Sequence, residues 1–131
     1  LWESRFVSPL DDAESLRLNR DGTIADIGRK VDTFDAIEGQ YIGLLRFNAR
    51  AMADLVTFYD NATKSSGWLE GRTPQKCYMT DLLRGLIGAG HPINAALIDG
   101  GWVEFDTPDD LALYQRLHEA GTLDQFWDGE K

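Results

Sequence analysis

Three features of the sequence predict a mixed α/β fold. An Asp21-Gly22 turn lies between the apolar runs Ser15 to Asn19 and Thr23 to Ile27 and signals a β-hairpin. Met79, Leu82, Leu83, Leu86 and Ile87 recur at helical spacing, a clean amphipathic stripe. Gly100 to Leu111 reads as a short strand running directly into a capped helix.

The remaining elements follow in chain order. Trp2, Phe6, Val7 and Leu10 stand among charges and predict a helix end, then a loop at Ser8-Pro9. After the hairpin, Gln40 to Asn48 is the strongest strand. Tyr41, Leu45 and Phe47 fall on one face and Ile42 and Leu44 on the other, so both faces are expected to be buried. Gly43 in its middle signals a bulge or a close backbone approach. Met52, Leu55, Val56 and Tyr59 predict a helix over Ala49 to Thr63, and the Met79 stripe one over Pro74 to Ile87. Gly88-Ala89-Gly90-His91-Pro92 ends the latter. Ile93 to Ile98 is a strand, and Asp99-Gly100-Gly101 turns into the Trp102 strand. The last helix has Thr107 as N-cap, Pro108 at N1 and Asp110 at N3, with the apolar stripe Leu111, Tyr114 and Leu117.

The 131 residues make about one domain, or a piece of one. The formal charge of -9 argues against a nucleic-acid groove or an anionic membrane surface as partner. No apolar run approaches the length of a membrane span. The single cysteine, Cys77, fits a reducing compartment and hence the cytoplasm. The first methionine is Met52, which raises the expectation that the chain is a fragment.

Glu104 and Asp106 are the leading site candidates. They alternate with Val103 and Phe105, so both carboxylates face one way, about 7 Å apart. Side by side they repel, and a divalent cation between them turns that cost into a site. The plainer alternative makes Asp106 a helix-terminal acid and Glu104 a solvated strand residue. Tyr78 and Asp81 lie one turn apart on the Met79 helix, opposite its stripe; a solvent face with an Asp81–Arg84 pair competes there with a cleft position. Glu38, Gln40 and Tyr41 put a carboxylate, an amide and a ring at a strand entrance. Arg29-Lys30 is an adjacent basic pair, either solvated or phosphate-binding.

In order along the chain, Ile27-Gly28-Arg29-Lys30, Glu38 to Phe47, Tyr78 to Leu83 and Trp102 to Leu111 resemble the C-terminal half of nucleotidyltransferases. The branch they resemble is that of the phosphocholine and phosphonate cytidylyltransferases, related to sugar-phosphate nucleotidyltransferases. The resemblance implies a doubly wound, Rossmann-like fold whose mixed sheet is flanked by helices. It implies transfer from a nucleoside triphosphate, CTP favoured, to a phosphorylated or phosphonylated small molecule with release of pyrophosphate. It implies Mg²⁺ held by Glu104 and Asp106, Lys30 near the acceptor's phosphoryl group, and Glu38, Gln40, Tyr41, Tyr78 and Asp81 on the acceptor side. Tyr78 with Asp81 suits a cationic head group such as choline. The family's Gly-rich loop, downstream lysine and early metal-binding acid have no counterpart here, so the chain is expected to lack the nucleotide-binding half and to be inactive alone. Two other readings stand beside this one: a non-catalytic module of the same fold, and a metal-dependent glycosyltransferase-like enzyme.

Overall fold

The computed structural model describes residues 2–6, 8–64, 71–73 and 76–127. The chain divides into two compact units, one of Ala13–Ala95 and one of Leu1–Asp12 with Ala96–Lys131. No helix among the described residues is long and apolar enough to cross a membrane.

The Ala13–Ala95 unit is built on the expected hairpin. Strand β1 (Glu14–Leu18) pairs antiparallel with β2 (Ile24–Lys30), with Leu16 opposite Ile27 and Leu18 opposite Ile24. The turn closes through Asp21, whose carboxylate accepts from the Thr23 N–H and hydroxyl at 3.0 and 2.6 Å, while Gly22 takes φ 83°. Such an Asx turn with glycine at positive φ is why Asp-Gly is legible as a turn. The inward residues Leu16, Ile24 and Ile27 form the core with Leu83.

Leu83 comes from α3 (Met79–Gly88), which packs on β2; the preceding helix, α2, spans Ala49–Thr63. The α3–β2 approach is close because Gly28 has no side chain. A Cβ there would lie 2.4 Å from the Thr80 Cβ, and its φ of +78° already excludes most residues. Helix α3 starts at Met79, with Tyr78 extended as its N-cap, so Cys77 and Tyr78 precede a helix expected to begin further upstream. Pro74, the expected start, lies outside the described residues. Helix α2 has the predicted bounds and is capped by Asn48, whose Oδ1 accepts from the Ala51 N–H at 2.8 Å.

Three expected strands are absent as strands. Gln40 to Asn48 has no ladder: Tyr41 and Phe47 pack against the core, but Leu44 is 80% exposed. Gly43 at φ 78° leaves the β region and breaks the pleat that would have sorted its neighbours between two faces. Ile93 to Ile98 makes only an isolated bridge, Asn94 to Thr23, and Trp102 to Phe105 none. A strand exists by its hydrogen-bonded neighbour. Gln40 to Asn48 and Trp102 to Phe105 have no ladder partner among the described residues, and Ile93 to Ile98 has only the Ile24 N–H on the Ile93 carbonyl at 2.8 Å and its own Ala95 N–H on the Gly22 carbonyl at 3.2 Å. Among the described residues the mixed sheet is correspondingly reduced to the β1–β2 pair, a parallel bridge from Leu16 to Ile37 and the antiparallel bridge from Thr23 to Asn94.

The other unit contains α1 (Trp2–Arg5) and α4 (Pro108–Glu119). Thr107 and Asp110 form the predicted capping box, and Pro108 opens the helix. Tyr114 is buried, whereas Leu111, expected on the same stripe, is 50% exposed.

Candidate functional site

Four charged side chains meet in the unit that holds α4. Arg5 lies at the end of α1, and its side chain is only 2% exposed. Its Nη1 donates to Glu104 Oε2 at 2.5 Å and its Nη2 to Asp106 Oδ2 at 2.7 Å. Nε and Nη2 donate to the two oxygens of Asp110 at 2.9 and 3.1 Å. Glu104 and Asp106 therefore both reach the Arg5 guanidinium, without a strand ladder to hold them. Phe105, between them, turns away and meets the Tyr114 ring edge-on at 4.8 Å, which fixes the segment to α4.

Asp110 anchors the group. Its Oδ2 also accepts from the Asp106 N–H, the Thr107 N–H and the Thr107 hydroxyl at 2.9 to 3.0 Å. The Arg5 guanidinium above all holds the Asp110 carboxyl well below the usual carboxylate range; burial opposes the shift and the Thr107 bonds reinforce it. Arg5 is raised in turn, first by its bond to Asp110. Glu104 and Asp106 differ from Asp110 in exposure: their side chains are 35% and 60% exposed, against 4%.

The donor chemistry of Glu104 and Asp106 fits Mg²⁺, a hard cation that takes carboxylate oxygens. Among the described residues no group of three or more metal-ligating side chains is arranged to hold a metal. Mg²⁺ is commonly held by one or two carboxylates together with substrate phosphates, so a pair suffices.

The chain is 36% identical, over 113 residues and 86% of its length, to the CTP:phosphoglutamine cytidylyltransferase of Campylobacter jejuni. Over those residues the chain is similar to a cytidylyltransferase. It spans 44% of that relative's length, less than half. No family model matches it, and no solved structure does. The match bears out the resemblance seen in the ordered motifs.

The other site candidates from the sequence lie in the Ala13–Ala95 unit. Lys30 is exposed at the end of β2, opposite Glu14 in the hairpin register. Gln40 Nε2 donates to the Glu14 carbonyl at 3.4 Å, which brings Gln40 to the same end. Glu38 is tied to β1, its carboxylate accepting from the Leu18 N–H at 2.5 Å. Tyr41 packs against the core, and burial pushes its phenol up. Arg29, beside Lys30, is engaged by Asp26 at 3.0 Å.

Tyr78 and Asp81 are together, but not on a solvent face. Asp81 is 2% exposed and accepts from Arg84 at 2.7 Å, Arg72 at 2.9 Å and the Tyr78 N–H at 3.0 Å. The side of α3 read as solvent-facing is covered, since Arg84 also donates to the Ile27 carbonyl on β2 at 2.8 Å. Tyr78 is exposed, and the Arg72 guanidinium sits 5.2 Å from its ring centroid. The ring and acid expected to receive a cationic head group thus already hold an internal cation.

Sequence reasoning missed Arg5, Asp110 and Arg72 as members of these groups. Asp110 was visible as a capping residue. Arg5 is 105 residues from Asp110, and only folding brings the two together.

Proposed function

We propose that this chain is the acceptor- and metal-binding part of a cytidylyltransferase that joins CTP to a phosphorylated or phosphonylated small molecule and releases pyrophosphate. The observation that carries this reading is the 36% identity, over 86% of the chain, to a relative named for CTP and a phosphorylated acceptor. The convergence of Glu104 and Asp106 supports it. In this reading the nucleotide is held by polypeptide outside these 131 residues, because no Gly-rich phosphate loop lies within them. Together the two parts make the doubly wound fold, in the cytoplasm.

Glu104 and Asp106 would hold Mg²⁺, which neutralises charge as an anionic acceptor oxygen approaches an anionic α-phosphorus. Lys30, exposed and cationic, faces the acceptor's phosphoryl oxygens in this assignment, with Gln40 beside it as an amide donor. Arg72 on Asp81 and Tyr78 bears on the rest of the acceptor. A choline head group would compete with Arg72 for that ring and acid, whereas an acceptor with its own carboxylate would be attracted by Arg72 and by Lys76, which lines the same cavity. An acceptor of the phosphoglutamine kind is therefore favoured over phosphocholine.

The test is pyrophosphate release by the protein at its native length, with CTP or UTP, Mg²⁺, and phosphoglutamine, phosphocholine or aminoethylphosphonate as acceptor. Pyrophosphate formed with CTP and one of these acceptors is expected. No pyrophosphate with any of these pairs, together with release of free nucleoside diphosphate when a nucleotide sugar is supplied in place of the triphosphate, would replace this reading by glycosyl transfer.

A further inference from the structure

We infer that Arg5 is a positioning residue for the metal-binding pair, orienting Glu104 and Asp106 before a divalent cation arrives and staying in place when it binds. The inference rests on the reading of those two acids as metal ligands and adds a residue to it. Three carboxylates face one guanidinium, so the cluster keeps two more negative charges than positive ones, the charge a divalent cation supplies. Each exposed acid spends one oxygen on Arg5, Glu104 through Oε2 and Asp106 through Oδ2. Their second oxygens accept no hydrogen bond among the described residues and belong to side chains open to solvent.

Asp110 is bound differently. It takes Arg5 through both oxygens, is buried, and is locked by Thr107 and the Asp106 N–H. The planar guanidinium is thereby fixed by Asp110 on one side and presents its Nη atoms to the two acids. A lysine carries the charge but not that fork. Partners that orient metal ligands typically contribute about 10- to 100-fold in metal affinity.

The experiment follows Mn²⁺ binding to the full chain by electron paramagnetic resonance, and the Arg5 side-chain N–H signals by NMR during Mg²⁺ titration. Arg5→Lys should weaken Mn²⁺ binding about 10-fold or more, while the wild-type Arg5 Nε–H signal persists at saturating Mg²⁺. Loss of that signal on Mg²⁺ binding, or unchanged or tighter Mn²⁺ binding in Arg5→Lys, would overturn the inference and leave the metal reading intact. Absence of Mn²⁺ binding in wild type, Arg5→Lys and Glu104→Gln alike would remove both. The wild-type titration decides the matter even if Arg5→Lys fails to fold.

Discussion

Arg5 and Asp110, 105 residues apart in sequence, form a two-point ion pair: Nε and Nη2 of one meet Oδ1 and Oδ2 of the other at 2.9 and 3.1 Å. Both side chains are almost wholly buried. The same Asp110 caps α4, so one carboxylate joins α1 to α4. Asp110→Ala removes the two-point pair and the carboxylate that accepts from the Asp106 and Thr107 N–H groups at the start of α4, while Arg5 keeps Glu104 and Asp106. It should therefore destabilise this unit by about 2 kcal/mol in urea unfolding. Asp109→Ala, exposed one residue earlier, should cost less than about 1 kcal/mol.

Acid should weaken the fold through the same residue. The folded-state pKa of Asp110 is depressed, chiefly by Arg5, relative to about 3.9 in an unfolded chain. Its contribution is fully present above that unfolded value and is lost as pH falls through the folded one. Asp26 adds to this with the same sign: burial alone would raise it, but the Ser15 hydroxyl and Arg29 outweigh burial and lower it. Unfolding free energy should fall steeply as pH drops below about 4. Asp110→Asn should flatten that decline, and an equally steep decline in the variant would contradict the assignment.

Gly28→Ala tests the closest packing of the other unit. The new Cβ would sit 2.4 Å from the Thr80 Cβ, on a backbone at φ +78°. Strained backbone and overpacking each cost about 1–3 kcal/mol, so a loss of at least about 2 kcal/mol is expected. Gly22→Ala shares the positive φ but meets nothing within 4 Å, and should cost less. Equal losses at both positions would show that contact with Thr80 does not matter.

Asp81 separates a structural from a specificity role. It is bound by Arg72, Arg84 and the Tyr78 N–H, so Asp81→Asn should lower the unfolding midpoint markedly by removing the buried negative charge that these three donors share. Arg72→Gln touches a half-exposed side chain, should leave stability within about 1 kcal/mol, and should shift acceptor preference toward a cationic head group. Acceptor assays on both variants, alongside thermal melts, check the two expectations together.

Legibility in the sequence followed the range of the interactions. The hairpin, both caps of the site unit's geometry at Thr107 and Asp110, and the bounds of α2 depend on residues within a few positions of one another, and each was readable. The strands at Gln40 to Asn48 and Trp102 to Phe105 were read from alternation alone, which records a preference for extended backbone and says nothing about a neighbour to pair with. Glu104 and Asp106 were found because alternation does place them on one side. Arg5 was not, since only tertiary folding brings it to them. For Asp81 the helical spacing gave the pair with Arg84, but not Arg72 or the β2 carbonyl that Arg84 also reaches, since both come from outside the helix.

The most direct test of the account is calorimetric titration of the native-length protein with CTP in the presence of Mg²⁺, for wild type and Asp106→Ala. Wild type should bind CTP in a Mg²⁺-dependent way, and Asp106→Ala should bind at least about 10-fold more weakly without responding to Mg²⁺. Equal, Mg²⁺-dependent binding by both proteins would contradict the placing of the metal at the Glu104–Asp106 pair.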